Sequence, residues 1–196
     1  MRTDEAPKRS RTGTRERILA ATNELFYAQG IRATSADRII EQVGITKVTF
    51  YRHFPSKSDL VVAYLEVQAA REQAWLIGAR VSGDPRASLR AIAEGIGAAS
   101  CSPGFRGCAF INAAAEFSDP DDPVRAVVAG HRQRMLDEFT SIAAEAGVDD
   151  AVVAGRRLMI LRDGAMVNGY LGEAASVASA LAPAFDAVIA PAGESR

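Results

Sequence analysis

The stretch TSADRIIEQVGITKVTFYRHFPSKSDL, residues 34–60, decides the fold of the first third of this 196-residue chain. Thr34 is followed three residues later by Asp37, a spacing that predicts a capped helix start. Apolar residues then recur at helical spacing until Gly44, the residue type expected where a helix ends in a left-handed backbone. Thr46 can cap a second helix. The sequence therefore predicts two short helices joined by a glycine turn.

The second helix of this pair is predicted over residues 47–54, with Phe50 and Phe54 on its buried side because they lie four residues apart. The outward face then carries hydrogen-bond donors, and a short helix with such a face fits a DNA major groove. Lys47 and Arg52 are predicted to contact base edges. The side chains predicted to contact phosphates are Thr34, Ser35, Thr46, Thr49, Tyr51, His53 and Lys57.

Residues 14–60 resemble the tetracycline-repressor (TetR) family of transcriptional regulators. The resemblance rests on TRERILAATNELFYAQG and on GITKVTFYRHFPSKSDL, which combines the glycine turn, an F-Y-x-H-F run and the S-K-x-x-L entry to the next helix. It implies a homodimeric, mostly repressing protein that binds a double-stranded DNA operator. It also implies a C-terminal domain that binds an unknown small-molecule inducer.

Composition predicts a cytoplasmic protein with no membrane partner. No apolar run approaches the roughly 18 residues that a transmembrane helix needs. Residues 1–13 are basic but lack the apolar segment of a signal peptide. The two cysteines, Cys101 and Cys108, are too few for a disulfide framework, which agrees with a reducing compartment.

Charge is divided unevenly along the chain. Residues 1–60 carry eleven Lys or Arg against seven Asp or Glu, a balance of +4, whereas the remaining residues carry −5 of the total of −1. The positive end holds the helix-turn-helix, as suits contact with phosphates. Residues 1–13 are predicted to be a flexible basic arm, which either lies along DNA or is a plain soluble tail.

The fold class predicted is all-α, because no period-two apolar run indicates a strand. A DNA-binding domain over residues 14–74 precedes a ligand-binding and dimerisation bundle over residues 75–196. A helix from Lys57 to about Val81 is expected to join them and to pass ligand binding on to the DNA-binding helices. Pro183 should kink or split the last helix. Further helices are predicted at roughly 84–100, 107–117, 123–146, 149–172 and 175–190.

The segment 104–125 resembles a C-terminal subgroup of the same family through its RGC-x-F-x-N-x-x-x-E pattern. An Asn and a Glu in an otherwise apolar helix indicate polar groups of a pocket, a buried hydrogen-bond knot that fixes helix register, or side chains that are simply exposed to solvent. The residues predicted to bind the ligand are Trp75, Cys108, Asn112 and Glu116.

The helix predicted at residues 149–172 is apolar on nearly every side, so one face should meet its own bundle and another a partner subunit. Gly164, Ala165 and Gly169 are small enough for close helix approach. The family resemblance implies a dimer interface of four helices, the last two of each subunit. Arg162 and Asp163 are predicted to form structural ion pairs rather than to contact a ligand.

An enzymatic interpretation lacks support in the same residues. Cys108 with His131 could be a nucleophile and a base, and Glu116 with Asp119 a carboxylate pair, but no orienting partner for the histidine is evident. The cysteine spacing gives no zinc site. We therefore predict no enzyme and no cofactor. The alternatives to a ligand-released repressor are a thiol redox-sensing regulator that uses Cys101 and Cys108, and an architectural DNA-binding protein without a ligand.

Overall fold

The computed structural model describes residues 13–190, and within that range the protein consists of nine α-helices and no strand. The all-α prediction is confirmed. The predicted basic arm, apart from Gly13, lies outside the described residues. The helices are α1 Thr14–Gln29, α2 Ala36–Val43, α3 Lys47–His53, α4 Lys57–Gly78, α5 Pro85–Ser100, α6 Ala109–Glu116, α7 Pro123–Glu145, α8 Ala151–Tyr170 and α9 Ala174–Ile189.

The chain divides into two compact units, one ending at Leu60 and the other beginning at Val61. The division falls after the first turn of α4. That helix ends at Gly78, earlier than the end expected near Val81. No helix within residues 13–190 is long and apolar enough to cross a membrane.

The first unit is built on aromatic and branched apolar side chains from α1, α2 and α3. Ile18, Ile39 and Phe50 are fully buried, and Phe54 is almost so. Burial of Phe50 and Phe54 is confirmed, and it fixes which side of α3 faces the core. Because the two rings occupy that side, the opposite side of α3 is left to solvent.

Hydrogen bonds define the N-caps of α1 and α2. The N-cap of α1 is Gly13, whose N–H donates to the Glu16 carboxylate at 3.0 Å, so Thr14 is the first helical residue. The N-cap of α2 is Ser35, whose hydroxyl accepts from the Arg38 N–H at 3.2 Å. The cap predicted at Thr34 is therefore wrong.

Gly44 and Thr46 act as predicted, and a further cap follows α3. Gly44 has φ 70° and ψ 45°, the left-handed conformation that glycine adopts without steric cost. The Thr46 hydroxyl accepts from the Thr49 N–H at 3.2 Å and so caps α3. Ser56 and Asp59 cap the start of α4 reciprocally: the Ser56 N–H donates to the carboxylate at 3.0 Å, and the Ser56 hydroxyl accepts from the Asp59 N–H at 3.1 Å.

The second unit is a helical bundle whose helices pack closely at glycines. A Cβ on Gly97 would lie 2.9 Å from the Cα of Ala178, so α5 and α9 approach to backbone distance. A Cβ on Gly155 would lie 2.9 Å from the backbone nitrogen of Thr140, which brings α8 equally close to α7. Helix α9 continues through Pro183, so the predicted split of the last helix is wrong.

Candidate functional site

Helix α3 is held by its two ends and by one buried side. Gly44 turns the chain out of α2, and the Thr46 hydroxyl then satisfies a backbone donor of the first turn of α3. The edge of one ring faces the other between Phe50 and Tyr51, with ring centroids 5.2 Å apart, and the centroids of the Phe50 and Phe54 rings lie 6.2 Å apart. The helix is therefore fixed in rotation, and the same side chains always face solvent.

The exposed side of α3 carries cationic, hydroxyl and apolar groups. Lys47 and Arg52 are exposed, and Tyr51 is 46% exposed, whereas Thr49 and His53 are half-buried. The Thr46 and Thr49 hydroxyls lie 3.0 Å apart. These groups match the donors and acceptors that DNA presents along its phosphates and in its major groove.

Val48 is an exposed residue of α3 that sequence reasoning missed. It is 80% exposed, although valine is usually buried. Its position two residues before Phe50 places it on the opposite side of the helix, and that signal was available in the sequence. An exposed apolar side chain between polar neighbours suits contact with the C5-methyl group of thymine.

Thr34 stands apart from the other residues predicted to contact phosphates. Its side chain is fully buried, and its hydroxyl donates to the Gly30 carbonyl at 2.8 Å. The Thr34 hydroxyl is therefore bonded to the end of α1 inside the first unit and does not face solvent. Ser35, the next residue, is exposed.

Lys57, at the start of α4, is half-buried. Its ammonium group donates to the Arg32 carbonyl at 3.5 Å and lies 6.0 Å from the centre of the Phe26 ring. These contacts hold the cation beside the loop that precedes α2. The side chain can therefore present a charge from a defined position rather than from a freely moving stem.

An ion pair links Lys47 to Asp37, in the first turn of α2. The ammonium nitrogen lies 2.8 Å from Oδ1 and 3.1 Å from Oδ2 of the carboxylate. The hydrogen bond to Asp37 and then its negative charge raise the pKa of Lys47. Lys47 is therefore cationic with one of its contacts already made inside the protein.

The four residues predicted to bind a ligand lie in different environments of the second unit. Trp75 is 41% exposed and its indole ring lies against Gly95, whereas Cys108 is buried and Glu116 is half-buried. Asn112 is exposed, and its amide donates to the Arg106 carbonyl at 2.9 Å. The buried knot considered for Asn112 is therefore wrong, because this amide instead ties down the loop before α6.

A buried ionic cluster joins α4, α7 and α8. Arg162 is 3% exposed, and its guanidinium lies 3.3 Å from the Glu72 carboxylate and 3.2 Å from that of Asp163. The ion-pair prediction for these two α8 residues is confirmed. Burial lowers the pKa of Arg162, but Cys108, Glu72 and Asp163 together raise it above its ordinary value.

Sequence reasoning found no neighbour for the His131 ring, and the structure places two groups against it. Its Nε2 lies 3.2 Å from the Glu72 carboxylate, and its ring stacks on Phe110 with centroids 3.6 Å apart. The ring is only 4% exposed. His131 is therefore a packed part of the same cluster, which no local sequence signal could show.

Two surface grooves lie within residues 61–190, and both have linings that exclude the four predicted ligand residues. The groove between α4 and α7 has a volume of about 330 Å³ and is lined mostly by small apolar residues, with Glu66 and Arg134 at its polar positions. The groove between α8 and α9 has a volume of about 480 Å³ and includes Gly164 and Ala165. Gly164 is exposed, whereas Ala165 is buried.

A capped helix that presents cationic and hydroxyl groups to solvent, after a glycine turn and a preceding helix, is the arrangement of a helix-turn-helix DNA-binding protein. Known proteins agree with this class. Residues 18–64 match the family described as "Bacterial regulatory proteins, tetR family", and residues 83–154 match the "Tetracyclin repressor-like, C-terminal domain".

A TetR-family transcriptional regulator from Streptomyces coelicolor, known from a crystal structure, is 41% identical in sequence to this chain. The two structures superpose with a TM-score of 0.86 over 90% of this chain and 94% of that chain. The chain belongs to the TetR family of DNA-binding transcriptional regulators. A putative TetR-type regulator from Streptomyces avermitilis has the same fold, with a TM-score of 0.80 at 24% identity over 91% of this chain and 97% of that chain.

Curated relatives match over shorter lengths. The transcriptional regulator AcrR of Shigella flexneri is 36% identical over 81 residues, which are 40% of this chain and 38% of AcrR. An uncharacterized regulator of Lactococcus lactis is 32% identical over 85 residues, 42% of this chain and 43% of that protein. The chain thus spans about two-fifths of the length of these relatives.

Proposed function

We propose that this chain forms a homodimer that represses transcription by binding a palindromic operator, and that a small molecule bound by residues 61–190 releases it. The observation that carries the proposal is the exposed face of α3, which Phe50 and Phe54 hold in one rotation. Because the backbone of this helix is already fixed, it loses little conformational entropy when it binds DNA. Two such faces related by a twofold axis require two half-sites about 34 to 36 Å apart, or a multiple of that distance.

The side chains proposed to contact DNA lie on α3 and at the adjacent starts of α2 and α4. Lys47 and Arg52 donate to base acceptors, since cationic side chains most often select guanine. Val48 packs on a thymine methyl group. Thr34 is left out because its hydroxyl is buried and donates to Gly30. The proposed phosphate contacts are Ser35, Thr46, Thr49, Tyr51, His53 and Lys57.

The dimer is proposed to use α8 and α9. Ile160 is 70% exposed, Val167 45% and Tyr170 48%, and Leu171 just beyond α8 is 69% exposed. A contiguous apolar surface of this kind favours burial against a partner. A side chain added at Gly164 would meet nothing within 4 Å, so a partner helix has room to approach there. A twofold axis would place the same groove on both subunits.

The ligand is proposed to bind beside Trp75 and α6, with Cys108, Asn112 and Glu116 as further contacts. Support comes from the part-exposed indole ring of Trp75 and from the exposed Asn112. Helix α4 is continuous from Lys57 to Gly78, and we propose it as the element that passes ligand binding on to α3. The ligand can weaken DNA binding only as much as DNA weakens ligand binding, typically about 1 to 3 kcal/mol.

The DNA part of the proposal is tested with a duplex selected by the wild-type protein from a random-sequence library. Lys47→Ala should weaken binding and relax base preference. Tyr51→Phe removes only a hydroxyl, so it should weaken selected and shuffled duplexes alike. Fluorescence anisotropy at fixed salt measures both affinities. Unchanged affinity and preference in Lys47→Ala would contradict the role given to this face.

The ligand part is tested by a thermal-shift screen followed by titration of a hit into free and DNA-bound protein. A released repressor must bind the ligand more weakly when DNA is bound. Equal affinities would reject ligand release. Thiol titration and DNA affinity, each measured before and after peroxide treatment, separate this mechanism from a redox switch at Cys101 and Cys108, because only a redox switch couples the loss of thiols to a change in DNA affinity.

A further inference from the structure

The ion pair between Asp37 and Lys47 places a carboxylate on the surface proposed to face DNA. A negative charge there repels phosphates and lowers affinity for DNA of every sequence. We propose that Asp37 is a specificity-determining residue, which positions the Lys47 ammonium group for one base acceptor and withholds its charge from phosphates. The inference rests on the proposed function, since it assumes that Lys47 contacts bases.

Geometry favours a positioning role. Lys47 is the first residue of α3, and the N-terminal residues of a recognition helix are those that reach base edges. A lysine side chain is flexible and carries three donors. The ammonium group donates to Oδ2 of Asp37 at 3.1 Å, and Oδ1 lies 2.8 Å from the same nitrogen. The remaining N–H groups point away from the carboxylate in a restricted range of directions and remain available to a base.

Stability of the fold does not account for the pair. Its side chains are 66% and 64% exposed, and ion pairs in such positions add little to stability. The positive end of the α3 dipole also disfavours a lysine at the first helical position. The negative charge of Asp37 offsets that cost. The main effect of the ion pair is therefore to fix the position of the Lys47 ammonium group and to limit which acceptors this group can reach.

Discrimination follows from what each kind of DNA can offer. A shuffled sequence lacks the base acceptor at the position that Lys47 reaches, so the ammonium group must leave Asp37 to bind a phosphate instead. Leaving one anion for another gives little net gain. The correct base accepts from a remaining N–H while the ion pair with Asp37 persists. Asp37 thus penalises wrong sequences more than the right one, which is one way in which specificity arises.

The test compares Asp37→Asn with Glu41→Gln. Glu41 is an exposed residue of the same helix, so its variant removes the same charge without removing the partner of Lys47. The probes are the selected duplex and a shuffled duplex of equal composition, each measured at several salt concentrations. Asp37→Asn should bind the shuffled duplex roughly threefold more tightly, and its salt dependence should steepen by about one counterion.

The ratio of selected to shuffled affinity should therefore fall about threefold in Asp37→Asn and stay unchanged in Glu41→Gln. In a Lys47→Ala background, Asp37→Asn should leave the ratio unchanged, because no ammonium group remains to be held. A merely structural role would move the melting temperature and not this ratio. Asp37→Ser, which also suits a first helical turn, provides a second variant whose thermal unfolding checks the fold.

Three results would overturn the inference: an unchanged ratio in both Asp37 variants, an equal fall in Glu41→Gln, or a fall that persists in the Lys47→Ala background. The proposed function fails separately. If Lys47→Ala alone leaves affinity for the selected duplex intact, the assignment of α3 is wrong. If Lys47→Ala weakens binding but the Asp37 variants behave like wild type, only the role of Asp37 is rejected.

Discussion

The close contact between α7 and α8 predicts that alanine at Gly155 destabilises the second unit. The added Cβ would lie 2.4 Å from the Thr140 hydroxyl oxygen, 2.9 Å from its backbone nitrogen and 3.0 Å from its Cα. The hydroxyl can rotate away, but the backbone of α7 cannot. Restoring a distance of 3.4 Å from that nitrogen requires the two helices to separate by about 0.5 Å.

Two opposing effects set the magnitude for Gly155→Ala. Replacing a helical glycine by alanine gains up to about 1 kcal/mol of helix propensity. Overpacking a close contact costs about 1 to 3 kcal/mol, and the separation of α7 from α8 also loosens neighbouring contacts. We therefore expect a net destabilisation of about 1 to 2 kcal/mol. For a chain of this size that loss lowers the melting temperature by about 2 to 8 °C.

Gly130→Ala is the matched control. Gly130 lies inside α7, and a Cβ there would meet only the end of the Arg134 side chain at 3.5 Å, an ordinary contact. This variant should gain up to about 1 kcal/mol from helix propensity alone. Both variants are unfolded thermally with circular dichroism at one protein concentration, since assembly shifts the midpoint. A Gly155→Ala protein that melts no lower than wild type would refute the inferred contact.

Two further predictions concern the proposed interfaces. Ile160→Asp places a charge in the apolar α8 surface, so it should abolish the dimer and lower affinity for the selected duplex. The control is Ile77→Asp, at an isoleucine of α4 that is 57% exposed. This control should remain dimeric in sedimentation velocity. A dimeric Ile160→Asp protein would move the interface elsewhere. Val48→Ala should cost up to about 1 to 2 kcal/mol of operator affinity by removing two buried methyl groups from the complex. Replacing the contacted thymine by uracil should have the same effect, and the two changes should not add. If no such thymine is found in the selected duplex, the apolar contact is excluded.

Local sequence signals determined the helix-turn-helix because each one acts over a few residues. Gly44 ends α2, Thr46 caps α3, and Ser56 with Asp59 starts α4, and all these groups interact within four residues of chain. The one-residue error at Thr34 has a tertiary cause. Both Thr34 and Ser35 are residue types that can cap a helix. The Thr34 hydroxyl is bonded to the Gly30 carbonyl at the end of α1, so Ser35 caps α2 instead.

Contacts between distant residues were decided only by the tertiary structure. Arg162 meets Glu72 across 90 residues of chain, and no periodicity or spacing encodes that pair. The same holds for Lys47 and Asp37, which two different helices bring together although the sequence predicts a separate role for each, a base contact for Lys47 and a capping contact for Asp37. Sequence determines which helices form and which faces are apolar, because those depend on neighbouring residues. The partners of polar side chains depend on how the helices pack, and packing is a property of the whole folded unit.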